Sequence, residues 1–297
     1  MYRRLVSGLK LALGLHRPGR NLEVFPDDVF IVSYPKSGNT WTRFLIANLV
    51  YPDKSPDFRN INELIPDPEA LSKRHLAKMA RPRIIKTHQY FHPGYRKIIL
   101  VVRDPRDVAV SLYHFQRKMR VYSDEFQIDK HVNRFVFNAN PLYGSWGENT
   151  ASWLATRGKN PEFLLVRYED ILKDPAEELR RIADFLRIEA SPEGLALAVE
   201  RSSADNMRKL ERSQALIWTS TKATRQDIPF VRTAKAGNWQ TELPQTSVIE
   251  IERAWGDIMH YLGYPLLCSQ VAGTNWNEIF DRRRLPTLHN EALQKMV

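Results

Sequence analysis

The chain has 297 residues, 43% of them hydrophobic, which is enough for a sizeable core in one α/β domain and excludes a disordered default. Its 44 Lys and Arg against 34 Asp and Glu leave a net charge of +10, which admits nucleic acid, an acidic membrane surface or an anionic small molecule as partner. No zinc-ligand spacing and no Arg/Lys block interleaved with aromatics is present, so nucleic acid is not expected; the single Cys268 excludes an intrachain disulfide and fits a reducing, cytoplasmic compartment.

Residues 1 to 20 carry five Lys/Arg and no acid, with apolar positions that wrap broadly around a helix. A packed or frayed helix is expected there, with peripheral membrane contact as the alternative. No apolar run approaches the ~20 residues of a membrane span. The next segment, Asp28-Val-Phe-Ile-Val-Ser-Tyr-Pro-Lys-Ser-Gly-Asn-Thr-Trp41, is the most informative. An apolar strand runs over Phe30–Val32, Pro35 and Gly38 break it, and helical spacing resumes over Thr40–Val50. A loop entering a helix presents unpaired N–H groups and the positive end of the helix dipole, which together make an anion site. Lys36 adds a charge, and Ser37, Thr40 and Thr42 add hydroxyls, so the spacing points to phosphate or sulfate. It is not a Walker A loop, in which the lysine follows the second glycine; here Lys36 precedes Gly38.

Further strands are predicted over Arg83–Lys86, Lys97–Arg103 and Glu162–Arg167, and further helices over Asp107–Met119, Ala176–Leu186 and Ser247–Leu262. Asp104 and Pro105 suit the N-cap and first helical positions. Apolar strands alternating with helices predict a doubly wound parallel α/β sheet with helices on both faces and ligands beyond the carboxyl ends of the strands. A single domain over 1–297 is expected, with a core at about 28–265 and a polar tail at 269–297. Arg103 closes so apolar a strand that it needs a partner, whereas Arg106 and Asp107 are expected as a surface ion pair. Tyr168, on composition alone, reads as a core aromatic with a wet hydroxyl.

The string Tyr34-Pro-Lys-Ser-Gly-Asn-Thr-Trp41 closely resembles the 5′-phosphosulfate loop of sulfotransferases that use 3′-phosphoadenosine 5′-phosphosulfate (PAPS), with Asn39 where that family usually has Thr. Four more segments resemble the same family in the same order, over about residues 28 to 239, and residues 202–207 resemble it with a departure. Arg83-Ile-Ile-Lys-Thr-His88 is similar to the Lys-Thr-His of its cytosolic-type members, which implies His88 as the general base that deprotonates the acceptor. The segment from Lys97 to Phe115 implies Arg103 and Ser111 on the 3′-phosphate, and Arg167-Tyr-Glu-Asp170 implies Tyr168 against the adenine with Trp41 stacked on the base. Ser202-Ser-Ala-Asp-Asn-Met207 resembles a cofactor segment whose adenine-facing aromatic is here Ala204, leaving Ser203 and Ser202 as candidates. Phe230-Val-Arg-Thr-Ala-Lys-Ala-Gly-Asn-Trp239 keeps Arg232, Gly237 and Trp239, while Thr233 replaces the usual lysine, for which Lys235 is the candidate substitute.

The resemblance implies a P-loop-like core and transfer of a sulfuryl group from PAPS, without a metal, to a hydroxyl or amine on a small molecule, lipid or glycan. Lys36 would neutralise charge on the leaving oxygen, backbone N–H groups of Ser37, Gly38, Asn39 and Thr40 would cradle the 5′-phosphate, and Lys86 would help stabilise the transferring group. Arg103, Ser111 and Arg232 would hold the 3′-phosphate. A base of ordinary pKa predicts activity rising through pH ~6.5. The alternatives are a P-loop-like nucleotide kinase, which lacks a convincing acidic residue after its apolar strand, and a non-catalytic adenine-nucleotide-binding protein. Tyr90, Phe91, Tyr143 and Trp146 are the candidate acceptor-pocket residues, chosen as aromatics near motif ends.

Overall fold

The computed structural model describes residues 22–138, 143–218 and 221–267. The expected helix over residues 1 to 20, Cys268 and the tail 269–297 lie outside the described residues. Four parallel strands, β1 Val29–Ser33, β2 Ile84–Thr87, β3 Lys97–Val102 and β4 Phe163–Arg167, form one sheet in the order β2-β1-β3-β4. Around it lie α1 Asn39–Val50, α2 Pro105–Lys118, α3 Ile128–Phe137, α4 Trp146–Arg157, α5 Tyr168–Lys173, α6 Pro175–Leu186, α7 Pro192–Arg201, α8 Ala204–Gln214 and α9 Gln245–Tyr261, with shorter helical turns between them. Every strand end falls within one residue of its prediction, and α1, α2, α6 and α9 fall within two. Among the described residues no helix is long and apolar enough to cross a membrane.

The strands are apolar on both faces because both faces are covered. Val29, Ile31, Ile84, Ile99, Val101 and Val166 pack against Phe44 and Ile46 of α1, Leu179 and Ile182 of α6 and Leu195 of α7. The alternate residues Phe30, Val32, Ile85, Ile98, Leu100 and Val102 pack against Val108 of α2, Phe135 of α3, Trp153 of α4 and Ile251 of α9. β1 leads to β2 on one side and β3 leads to β4 on the other, so the strand order reverses between β1 and β3. A crevice opens at such a reversal, beyond the carboxyl ends of the strands.

α4 has no clean apolar period, and its start is set instead by a capping box: Ser145 Oγ accepts from the Glu148 amide at 3.1 Å, and Glu148 Oε2 accepts from the Ser145 amide at 2.8 Å. Trp146, expected in an acceptor pocket, is instead fully buried as the first residue of α4, its ring 5.5 Å from that of Trp255. The adjacent Gly147 permits this packing, because a Cβ there would lie 2.4 Å from the Trp255 ring.

The expected surface pair of Arg106 and Asp107 does not exist. Successive helical residues do not face each other, and both side chains turn inward. Arg106 is fully buried, donates to Asp104 Oδ2 at 2.6 Å and Glu252 Oε1 at 2.7 Å, and lies 3.9 Å from the Trp239 ring. It therefore joins the end of β3 to α9. Removing one partner of a buried ion pair leaves uncompensated charge, so Arg106→Ala is expected to cost about 3–5 kcal/mol of stability. Urea unfolding checks this; a loss under about 1 kcal/mol, the range of an exposed pair, would show that the guanidinium is not a structural tie.

Candidate functional site

Four of the candidate motifs follow the carboxyl end of a strand, Lys36 after β1, His88 after β2, Arg103 after β3 and Tyr168 after β4, while those at residues 202–207 and 230–239 follow helices. The loop after β1 turns through two left-handed residues, Lys36 (φ 70°) and Gly38 (φ 99°). Gly38 is required by contact as well as by conformation, because a Cβ there would sit 2.5 Å from Cδ2 of Tyr168. The amides of Gly38, Asn39 and Thr40 bond to no described backbone group and stand at the dipole-positive end of α1. Ser37 Oγ and Arg103 Nε are buried with no partner among the described residues. Both are donors, and an anion with several acceptor oxygens fits them; a buried donor left unmatched costs about 1–3 kcal/mol. Asn39 departs from this pattern: its Nδ2 turns back to Ile31 O at 3.3 Å and Ser33 Oγ at 3.1 Å, and its buried Oδ1 is an acceptor that an anion would not satisfy.

Lys36 is seated between two rings, its Nζ 4.5 Å from the Phe115 centroid and 4.0 Å from that of Phe230. Burial strips its water and Arg103 adds a like charge, which together push its pKa down to about 7. Arg103 donates to Lys235 O at 3.0 Å and packs 4.4 Å from the Tyr168 ring. Its other neighbour, Asp107, lies 3.7 Å away and accepts from the amides of Gly237 at 2.7 Å and Trp239 at 3.1 Å. Asp107 thus clamps the last motif to the end of β3, a role missed because the residue reads as half of a surface pair.

Trp41 and Tyr168 meet edge to face at 5.7 Å, and the Trp41 indole donates to Ser202 O at 2.9 Å. Ser202 Oγ accepts from Asn48 Nδ2 at 3.1 Å, while Ser203 Oγ caps α8 by accepting from the Asn206 amide. Ser111 is half-buried on α2, with no hydrogen bond to a described residue, and Thr40 is half-buried at the first turn of α1. Arg232 donates to Glu242 Oε1 at 2.6 Å, whose other oxygen lies 2.6 Å from His114 Nε2. The loop carrying Phe230 and Arg232 is fixed from α8. Arg208 donates to the carbonyls of Val231, Arg232 and Thr233, and Glu211 accepts from the amides of Phe230 and Val231. None of these partners carries a local sequence signal.

His88 lies against the first motif. Its Nδ1 is 2.8 Å from Ser33 O, and a carbonyl only accepts, so Nδ1 carries the proton and Nε2 keeps its lone pair. Burial and the neighbouring Lys86 push its pKa down to about 3, against weaker opposing effects of Ser33 and Asp67, with Arg43 adding to the lowering. Both effects favour the neutral imidazole, so the rise through pH ~6.5 expected of a base of ordinary pKa is not expected of this ring. Lys86 is buried and paired with Asp67 at 2.8 Å. Beside His88, Tyr143 lies 6.4 Å away ring to ring, and 5.7 Å from Tyr34. Burial raises both tyrosine pKa values, Tyr143 to about 12, so both hydroxyls keep their protons. Of the other aromatic candidates, Tyr90 is exposed and Phe91 packs edge-on against Trp153 at 5.7 Å.

Comparison with known proteins finds a family model, described as "Sulfotransferase domain", matching residues 26–263. The chain is similar to 3-beta-hydroxysteroid sulfotransferase of Cavia porcellus, 28% identical over 80% of this chain and 85% of the relative. It is also similar to Sulfotransferase 1E1 of Bos taurus, 30% identical over 74% and 80%. Among solved structures it shares its fold with retinol dehydratase in complex with androsterone and inactive cofactor PAP, at TM-score 0.65 and 23% identity over 80% of this chain and 82% of that one. Mouse sulfotransferase SULT7A1 complexed with PAP matches at TM-score 0.62 and 23% identity over 82% and 85%.

The contact under Tyr168 gives a direct test of the loop. Gly38→Ala is expected to cost about 1–3 kcal/mol by overpacking, and adding Tyr168→Phe should not relieve it, because the clash is with a ring carbon. Chemical denaturation of the single and double variants checks both; an Ala variant as stable as the parent would show that Gly38 is not required by the ring.

Proposed function

The chain belongs to the sulfotransferase domain family, and we propose that it transfers a sulfuryl group from PAPS to a hydroxyl on a small molecule, using His88 as the general base. The observation that carries this reading is the docking of His88 on Ser33, the last residue of β1, which brings the base to the anion loop with Nε2 free to accept a proton. PAPS supplies the activated sulfuryl group; the protein's part is to position it and to neutralise charge as the bond to the phosphate oxygen breaks. The open amides at the start of α1 and the Ser37 hydroxyl suit the 5′-phosphate. Lys36, on the same loop, supplies the cation for the leaving oxygen. With its pKa lowered in the free protein, the charge of a bound nucleotide would favour its protonated form.

Arg103, Arg232 and Ser111 form the 3′-phosphate side of this proposal, with Arg232 exchanging some of its contact with Glu242 for phosphate. Tyr168, Trp41 and Ser203 form the adenine side. Lys86, held by Asp67, contributes positive field rather than a free ammonium. Tyr34 and Tyr143 form an aromatic wall beside the base that suits an apolar acceptor bearing a hydroxyl. Labelled PAPS offered with a panel of phenols and aliphatic alcohols in the presence of EDTA tests the activity; magnesium-dependent ATP turnover without sulfate transfer would support a kinase instead.

Adenosine 3′,5′-bisphosphate is expected to raise thermal stability more than AMP at equal concentration; at a hundredfold excess over its dissociation constant it should itself add roughly 2.7 kcal/mol. Equal shifts would remove Arg103, Ser111 and Arg232 from a 3′-phosphate site.

His88→Asn should lower sulfation of an aliphatic alcohol by ~10²–10⁴-fold, and that of an acidic, partly ionised phenol by less. Because the free imidazole stays neutral, the parent's kcat/KM should show no fall between pH 7 and roughly pH 5.5 attributable to this residue. Undiminished alcohol sulfation by the variant would remove His88 from the chemistry, and an acidic limb near ~6.5 that disappears with it would place its pKa at the ordinary value.

A further inference from the structure

We propose that Asn149 is a positioning residue for the reaction, its single amide group tying the base His88 to the acceptor wall at Tyr143. The inference rests on the reading of His88 as the base. Asn149 Nδ2 donates to His88 O at 3.0 Å and to Tyr143 O at 3.0 Å, so both of its hydrogens are committed, one to each side of the acceptor space. The residue is fully buried, and its Oδ1 has no partner among the described residues. A buried amide with an unmatched oxygen is costly, and an apolar side chain of similar volume would avoid that cost. Its presence is accounted for by what its donors hold.

Asn149 does not act alone. It is the first of three residues on one face of α4, at i, i+3 and i+4, that hold the loop after β2. Ser152 Oγ accepts from the Phe91 amide at 3.0 Å, and Trp153 Nε1 donates to Gln89 O at 3.0 Å. α4 is itself anchored at its start by the Ser145–Glu148 capping box. With the ring held at Nδ1 by Ser33 O and the backbone held at its carbonyl by Asn149, the direction of His88 Nε2 is fixed from both ends. The second Asn149 bond places Tyr143 in register with it, so an acceptor resting on Tyr143 presents its hydroxyl to a base whose position is set by the same amide. General-base catalysis depends on such registration, and a misplacement of about 1 Å can cost 10²-fold.

The test compares Asn149→Ala, His88→Asn and the double variant on an aliphatic alcohol and an acidic phenol, with the thermal shift by adenosine 3′,5′-bisphosphate as a measure of the intact nucleotide side. Asn149→Ala is expected to lower kcat for the alcohol roughly 10- to 10²-fold, to lower it less for the phenol, and to keep the nucleotide shift. In the His88→Asn background the same substitution should cause little further loss of kcat, since residues acting through one step are not additive. Parent-like alcohol turnover in Asn149→Ala, or an equal and additive loss in the His88→Asn background, would overturn the inference. Undiminished alcohol turnover in His88→Asn alone would instead overturn the base assignment on which it rests. If Asn149→Ala loses the nucleotide shift, Trp153→Phe carries the same comparison: it deletes the bond to Gln89 O and keeps an aromatic ring beside Tyr95, which stacks at 6.2 Å.

Discussion

The pairing of β1 with β3 is the constraint from which the site follows. Strands that lead away in opposite directions leave no helix to close the gap beyond their carboxyl ends, and in this chain that gap receives Lys36 from one strand and Arg103 from the other. Both cations stand at the edge of an apolar sheet, where burial penalises charge and each raises the cost of the other. The protein answers with carboxylates placed one contact back from the crevice: Asp107 beside Arg103, Glu242 on Arg232, Asp67 on Lys86 and Glu211 near Lys118. None of these acids bonds to Lys36, whose ammonium rests on aromatic faces, and burial with Arg103 nearby lowers its pKa to about 7.

The same economy explains how the loop over the site is held. Residues 230 to 239 contain little regular structure, so their backbone groups need partners. Those partners are side chains: Arg208 and Glu211 from α8, and Asp107 from α2. A loop fixed by charged side chains rather than by a sheet can carry a phenyl ring and a guanidinium to the crevice without adding an edge strand. The helix on the other side does similar work for the loop after β2 through neutral donors and acceptors, which places no further charge beside His88.

The sheet was legible in the sequence because strands buried on both faces are continuous apolar runs, and each such run ended in polar residues that had to lie at the crevice. The loop after β1 was legible for the opposite reason, since Lys36 and Gly38 interrupt a strand just where a helix begins. Arg106 was not legible: Asp107 is its neighbour in sequence, but its partners are Asp104, which caps the helix, and Glu252, which lies on α9. Trp146 misled in the same way, because an aromatic beside a loop looks available until the helix cap and Gly147 are seen to turn it into the core. Phe115, Phe230 and Glu242 gather around Lys36 and Arg232 from segments far apart, and no spacing rule along the chain links them.

His88 shows why geometry had to precede pKa in assigning the chemistry. Read alone, a histidine at a strand end suggests a group that titrates near neutrality. In the fold, the Ser33 carbonyl fixes its tautomer, and burial beside Lys86 lowers its pKa. In the proposed role such a ring would not need to lose a proton before acting, and its weak basicity would be offset only if the acceptor's proton moved as the sulfuryl group transferred. Under the proposed chemistry, concerted transfer would need acceptor, base and sulfur in line at once, and the bonds from Asn149 Nδ2 to the His88 carbonyl and from His88 Nδ1 to the Ser33 carbonyl are what would hold the ring for it.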